Sequence, residues 1–227
     1  MSGVQWPRSL AAPSRIRLLH AVEAAQNEFD EAVALLEACG VDDCVQLPVG
    51  ILDRLLLQAY RLVLGRDLEA VFACPACGTL NALALAPGDV AEYEPRWAWC
   101  GPGAGVREPI GADLMGLPSD PDDAAAEIAR RCSTGPATGD RDDDALDRAD
   151  QSLCGAVHLT CVDCGQPVDG YLDVQQLVTS AVATAVADVD VEIHLIASRY
   201  GWDLATIEAL PERRRVRLAA LASGGRE

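Results

Sequence analysis

The sequence predicts an α+β protein: two β-hairpins far apart in the chain, packed with a long C-terminal helix and further helices. Three observations predict it. Apolar runs flank two short Cys-x-x-Cys-Gly turns, at residues 74–78 and 161–165, so each reads as a hairpin with cysteines at its tip. Val174, Val178, Val182, Val186, Val189, Ile193, Ile196 and Tyr200 recur every three or four residues, which is one face of a helix. Further helical runs occupy the N-terminal third. With 50% hydrophobic residues in 227, the chain can bury a core; at 4% aromatic, that core must rest on Leu, Val and Ala.

Residues 1–13, with Pro7 and Pro13, read as a loose leader. Ser14 caps a predicted helix over 15–38 that ends at Gly40. Leu47-Pro48-Val49-Gly50 leads into a strongly apolar helix over 51–64, stopped by Gly65. The first hairpin spans 68–85. Residues 89–117, with Trp97, Trp99 and Val106-Arg107-Glu108-Pro109-Ile110, read as a second small strand region. A helix follows over 120–131, with Pro121 in its first turn and acids leading arginines. Residues 133–150 read as an acidic linker. Asp140, Asp142 and Asp144 match the first ligand positions of a calcium loop, but Ala145 and Gln151 fail its glycine and glutamate positions. After the second hairpin a single helix is expected over 173–200, capped by Gly201. A short helix over 204–209 and a last one over 211–221 follow, then a frayed tail at 223–227. The last helix carries Arg213, Arg214, Arg215 and Arg217 on one side and Val216, Leu218 and Leu221 on the other. The arginines are either a docking face for an acidic partner or a solvated surface. The expected domains are a leader and helix at 1–44 and a main unit at 45–222.

Thiolates two residues apart on a tight turn suit half of a tetrahedral zinc site, and two halves make one. The glycine after each pair permits the positive φ such a turn needs. Cys74, Cys77, Cys161 and Cys164 are therefore the expected ligands of one structural Zn2+, making a split four-cysteine zinc ribbon. Two disulfides, a redox Cys-x-x-Cys or four buried thiols are the alternatives. A redox pair normally sits where a strand enters a helix; here Leu80, Leu83 and Leu85, and Val168, Tyr171 and Val174, continue as strand. The halves are separated by 83 residues, a loop whose closure costs about 4 kcal/mol, whereas structural zinc supplies about 10–16 kcal/mol. Cys39, Cys44, Cys100, Cys132 and Cys154 have no regular spacing and are expected as small core residues.

The net charge of −17, with no lysine at all, argues against a nucleic-acid partner, because phosphate neutralisation supplies most of that affinity. Residues 1–10 lack the apolar core of a signal peptide. Asp188, Asp190 and Glu192 break the apolar run at 174–196, so no membrane span is expected. Nine cysteines without a secretion signal point to a reducing cytoplasm. No nucleophile elbow, Walker loop or dinucleotide fingerprint is present. His20 and His194 are expected as partly buried packing residues on helices, and His158 as a strand position near the cysteines.

The order of features is more distinctive than any one of them. It runs Leu47-Pro48-Val49-Gly50, Leu68-Glu69-Ala70 before the first cysteine pair, Arg107-Glu108-Pro109 with Asp113-Leu114, and Arg130-Arg131-Cys132. Leu159-Thr160 follows before the second pair, and then Glu192-Ile193-His194-Leu195-Ile196-Ala197 with Tyr200-Gly201-Trp202 and Arg213-Arg214-Arg215. This order, over residues 45–222, resembles the baseplate hub assembly chaperone family of contractile-tailed phages, in the form found beside phage-like contractile injection systems. The resemblance implies a non-enzymatic role in building the baseplate or hub, with baseplate, hub or tape-measure proteins as partners, in the cytoplasm or in the assembled particle. The other classes open to this sequence are a zinc-ribbon adaptor in transcription or RNA processing and a thiol-redox enzyme.

Overall fold

The computed structural model describes residues 9–101, 104–134 and 143–224. Helix α1 (Arg15–Ala24) starts where expected, with the Ser14 hydroxyl accepting from the Arg17 N–H. The single helix expected over 15–38 is two. Ala25 is extended, and the Asn27 side chain accepts from the Asp30 N–H to start α2 (Glu28–Ala38). A short amide that can bond its own backbone competes with the helical ladder, and here it wins. The break lets α1 bury Leu18 and Leu19 against the Ala32, Leu35 and Leu36 face of α2. Ahead of α1, the Ala11 N–H donates to Cys39 O, tying the chain's start to the end of α2.

Helix α3 (Val49–Leu64) is buried on nearly every side through Tyr60 and ends at Gly65, whose φ of 69° makes the left-handed cap. The first hairpin follows as β1 (Leu68–Ala73) and β2 (Leu80–Leu85), paired antiparallel from Leu68↔Leu85 to Ala73↔Leu80. The insertion then holds β3 (Trp97–Gly101), β4 (Ala104–Arg107), α4 (Gly111–Leu114), α5 (Pro121–Cys132), β5 (Ser133–Thr134) and α6 (Asp143–Ala149). Its three strands pair in the order β3-β4-β5. Ala98 and Val106 on one face pack on Cys132, Ala145 and Ala149. The acidic linker expected over 133–150 is therefore corrected at its second half, which is helix α6 with two buried alanines. Asp140 and Asp142 lie outside the described residues, and Asp144 sits in α6 rather than a loop.

The second hairpin is β6 (Gly155–Thr160) and β7 (Pro167–Leu172), paired from Gly155↔Leu172 to Thr160↔Pro167. The long helix expected over 173–200 is interrupted at Ala187 into α7 (Val174–Val186) and α8 (Asp188–Tyr200), although Ala187 keeps helical angles (φ −55°, ψ −31°). The two halves serve different neighbours. The face of α7 packs on α1, α2 and α3. Helix α8 packs on α9 (Leu204–Glu208) and α10 (Glu212–Ala222), where Ile196, Ile207 and Ala219 form a second cluster. The main core runs from Leu18 to Val189, so the first 44 residues and the rest of the chain share it. No helix among the described residues is long and apolar enough to cross a membrane.

Buried polar groups fasten the insertion to α3. The Gly50 N–H donates to Glu108 Oε1 (3.0 Å), and Tyr93 OH donates to Glu108 Oε2. Arg54 Nη1 donates to the carbonyls of Gly50 (2.6 Å) and Gln151 (2.9 Å). Asp53, fully buried, accepts from the Leu153 N–H (2.7 Å) and from Gln175 Nε2 (2.9 Å). Position 50 must be glycine for this seam: a Cβ there would lie 2.6 Å from the Gln151 carbonyl oxygen. A second clamp joins the ends of the molecule. Glu192 on α8 accepts from Arg15 Nη1 and from Arg215 Nε, each at 2.8 Å. Arg215 is thus not on the exposed basic side expected for it; it is 1% exposed, one turn from Ala219 on the inner face of α10, while Val216 and Leu221 face solvent.

His20 and His194 lie on helices but are exposed, not packing residues; His20 pairs with Glu208 on α9 (2.9 Å). Cys39, Cys44 and Cys132 are buried as expected and Cys154 partly so; the side chain of Cys100 lies outside the description.

Two measurements check these clamps. Glu192→Ala leaves the buried Arg215 without its carboxylate and should lower unfolding free energy in urea by about 3 kcal/mol, with Glu192→Gln costing less. Burial raises the Asp53 pKa from 3.8 to about 6. The folded state then holds more protons than the unfolded chain between those values, so this group's contribution is largest below pH 4 and is lost as pH rises through 6. The stability of Asp53→Asn relative to the parent should accordingly rise between pH 4 and 7, by up to about 3 kcal/mol; a difference flat with pH refutes the assignment.

Candidate metal centre

Each hairpin tip makes the same turn. In the first, the Gly78 N–H donates to Cys74 O (2.9 Å) and the Cys74 N–H to Thr79 O (2.8 Å). In the second, the Gly165 N–H donates to Cys161 O (3.0 Å) and the Cys161 N–H to Gln166 O (2.9 Å). Gly78 (φ 76°) and Gly165 (φ 70°) occupy the left-handed region that a Cβ would disfavour. The turn holds its two thiols on one side, and β1 lying against β7 brings the two tips together.

The four sulfurs expected as ligands meet there. Cys74, Cys77, Cys161 and Cys164 have all Sγ atoms within 4.8 Å of one another. The shortest approaches run between hairpins: Cys74 to Cys164 and Cys77 to Cys161, both 3.6 Å. A disulfide needs about 2.05 Å, so these are free thiols. A tetrahedral ion with metal–sulfur bonds of about 2.3 Å has sulfur–sulfur edges of about 3.8 Å. Donor set, number and spacing fit one metal ion. Cys74 and Cys161 are buried over Val168, Phe72 and Leu159, while Cys77 and Cys164 face outward.

The electrostatics of the cluster call for a cation. Backbone N–H donors of Cys164 and Asp163 pull the Cys161 thiol down to about 6. Cys77 is also lowered, first by the Thr79 hydroxyl beside it and then by the Thr79 N–H. Cys164 has the Gln166 N–H favouring its thiolate, yet the sulfurs of Cys77, Cys74 and Cys161 drive it up to about 12. Four thiolates this close repel one another, so a cation among them would stabilise all four charges. Four thiolates also fill a tetrahedral ion's coordination, leaving no position for water.

Three contacts that the spacing of cysteines does not reveal align the tips. Asn81 on β2 donates from Nδ2 to Phe72 O and Thr79 O and accepts at Oδ1 from the Val162 N–H of the other hairpin (3.0 Å). The Thr79 hydroxyl donates to Asp163 Oδ2 (2.7 Å). The Phe72 ring lies on Gly170, where an added Cβ would sit 2.3 Å from it. Asn81 had a signal in the sequence, an amide at an inward position of an otherwise apolar strand. His158 takes no part; it is exposed and pairs across its own hairpin with Asp169.

Neither hairpin contains an Arg, and the tips present Val162, Asp163, Pro75 and Ala76. Such a surface offers nothing for phosphate. Comparison of the chain with protein-family models, with curated proteins and with solved structures gave no match.

Purified protein should carry one metal ion per chain by elemental analysis, lost to a strong chelator at low pH or after Cys161→Ser. Loss should free both hairpin tips to rapid amide exchange, while the α1–α3 and α7 core, with Leu68, Ala70 and Leu172 at the hairpin bases, stays protected.

Proposed function

We propose that this chain is a non-enzymatic assembly protein of the baseplate or hub of a contractile tail-like particle, acting through protein–protein contacts on a scaffold stabilised by Zn2+. Zinc suits the site because four thiolates in a tetrahedron select zinc or iron, and zinc is the usual ion of closed structural sites.

One observation carries the functional reading: the scattered motifs behind the family resemblance are contact partners of one another. Leu47-Pro48-Val49-Gly50 meets Arg107-Glu108-Pro109 through Val49 N–H to Pro109 O, Gly50 N–H to Glu108 Oε1 and the Pro48↔Ile110 bridge. Arg107 holds Asp113 with two hydrogen bonds (2.6 and 2.9 Å) and reaches the Arg131 carbonyl. Glu192 pairs with Arg215. The resemblance thus traces the internal joints of one scaffold, which is what similarity of fold would leave in a sequence.

The test is co-expression with the hub, baseplate and tape-measure proteins encoded beside it. A stoichiometric complex with one of them supports the proposal. Elution alone from all of them, or one iron in place of zinc, overturns the corresponding half.

A further inference from the structure

The small sheet of the insertion turns one face to solvent, and that face carries two indoles. Trp97 (44% exposed) and Trp99 (70%) project from β3 on the side away from Ala98, which packs beneath the sheet on Cys132, Ala145 and Ala149. The chain has four Trp, four Tyr and two Phe, so two indoles side by side in water are out of keeping with its composition.

The pair is held in place. The ring centroids are 6.0 Å apart and the planes meet at 64°, so two ring faces bound an open corner. Trp97 lies over Gly105 of β4, where a Cβ would run into its Nε1, Cε2 and Cζ2 atoms; glycine is what lets the indole settle on the sheet. In the order β3-β4-β5, β3 is an edge, and among the described residues no strand lies beyond it. Its register irregularity falls between Trp99 and Gly101, leaving 97–99 as regular strand.

The polar groups around this face decide what it accepts. Thr134, opposite Gly105, already donates its hydroxyl to the Gly105 carbonyl oxygen (3.1 Å). Arg107, opposite Trp97, is held by Asp113. The segment leading into β3, residues 86–96, holds Asp89, Glu92 and Glu94 against a single Arg96. All three acids are exposed and, among the described residues, without an ion pair. A neutral sugar needs hydroxyl and amide partners that this face has already used. Indole faces attract cations within about 6 Å of the ring centroid, more strongly than the other aromatic side chains do, and free carboxylates nearby add to that attraction.

We propose that this face docks a basic, extended segment of a partner protein, with arginine or lysine at alternate positions set against Trp97 and Trp99. Residues two apart in an extended chain project on one side about 6.6–6.8 Å apart, close to the 6.0 Å between the rings. The open edge of β3 leaves room for such a segment to run alongside. The inference stands on this face alone and needs neither the metal nor a tail protein as the partner.

Titration of the full-length protein with the peptide acetyl-Thr-Arg-Thr-Arg-Thr-amide tests it, read by NMR of the indole N–H groups. Trp97→Phe and Trp99→Phe assign the two resonances. The peptide should shift both and leave Trp202, which packs on Tyr200, unmoved. Binding should weaken in about 1 M salt and fall about fivefold or more when citrulline replaces arginine, or in Trp99→Ala. Trp99 is mostly in water, so that variant should keep the parental circular dichroism and Trp202 resonance. No shift up to about 5 mM peptide, equal binding of the citrulline peptide, or full binding by folded Trp99→Ala each overturns the proposal. Cellotriose shifting the same indoles where the basic peptide does not also overturns it, and gives the face to a sugar.

Discussion

The structure depends on sulfur atoms from opposite ends of a long insertion meeting in one place. A two-stranded hairpin is marginal alone, and the tips here meet through the four sulfurs, Asn81, Thr79 with Asp163, Phe72 on Gly170 and the small cluster of Phe72, Leu159 and Val168. Bringing them together costs about 4 kcal/mol of loop entropy, and four thiolates in one place repel one another. A tetrahedral cation held there would offset that repulsion and outweigh the loop cost. The helical core does not share this dependence, since α1, α2, α3 and α7 bury Leu, Val and Ala without using either hairpin tip.

A different device closes the base of the same insertion. There the chain is held by carboxylates and amides with α3 as the common partner: Asp53, Arg54 and the backbone of Gly50. These groups are too buried to gain from water, so their worth lies in direction. An unsatisfied buried polar atom costs about 1–3 kcal/mol, and that penalty makes any other seating of the insertion unfavourable. The glycine at 50 is the steric half of the arrangement, because the Gln151 and Glu108 oxygens occupy the space of a side chain. The cysteine cluster fixes where the hairpins meet; the polar seam fixes how the insertion leaves and returns.

What could be read from the sequence follows from how local each signal is. The cysteine tips, both hairpins and the glycine stops of α3 and α8 are set by residues within a few positions of one another, and they lie where expected. The break at Ala25–Asn27 depended on one amide choosing its own backbone, against a pattern that continues through it. The interruption at Ala187 is invisible to periodicity, since Val186 and Val189 stay in step while α7 and α8 turn to different neighbours. Helix α6 hides because its apolar face is only Ala145, Leu146 and Ala149 inside an acidic stretch. Arg215 could have been found: its phase matches Leu218, Ala219 and Ala222, but identical neighbours disguised it.

The polar joints between distant parts of the chain are spent on the protein's interior. Glu108, Asp113, Glu192 and Arg215 are buried and already partnered, and the cysteines face one another. Such joints leave over only part of the polar and apolar side chains as surface. On this chain the surplus is uneven: an acid-rimmed apolar cleft on α2, and a basic stripe edged with Val216 and Leu221 on α10. The Arg15–Glu192–Arg215 clamp ties α1 to the inner face of α10. One buried carboxylate therefore holds the first helix and the last one against α8.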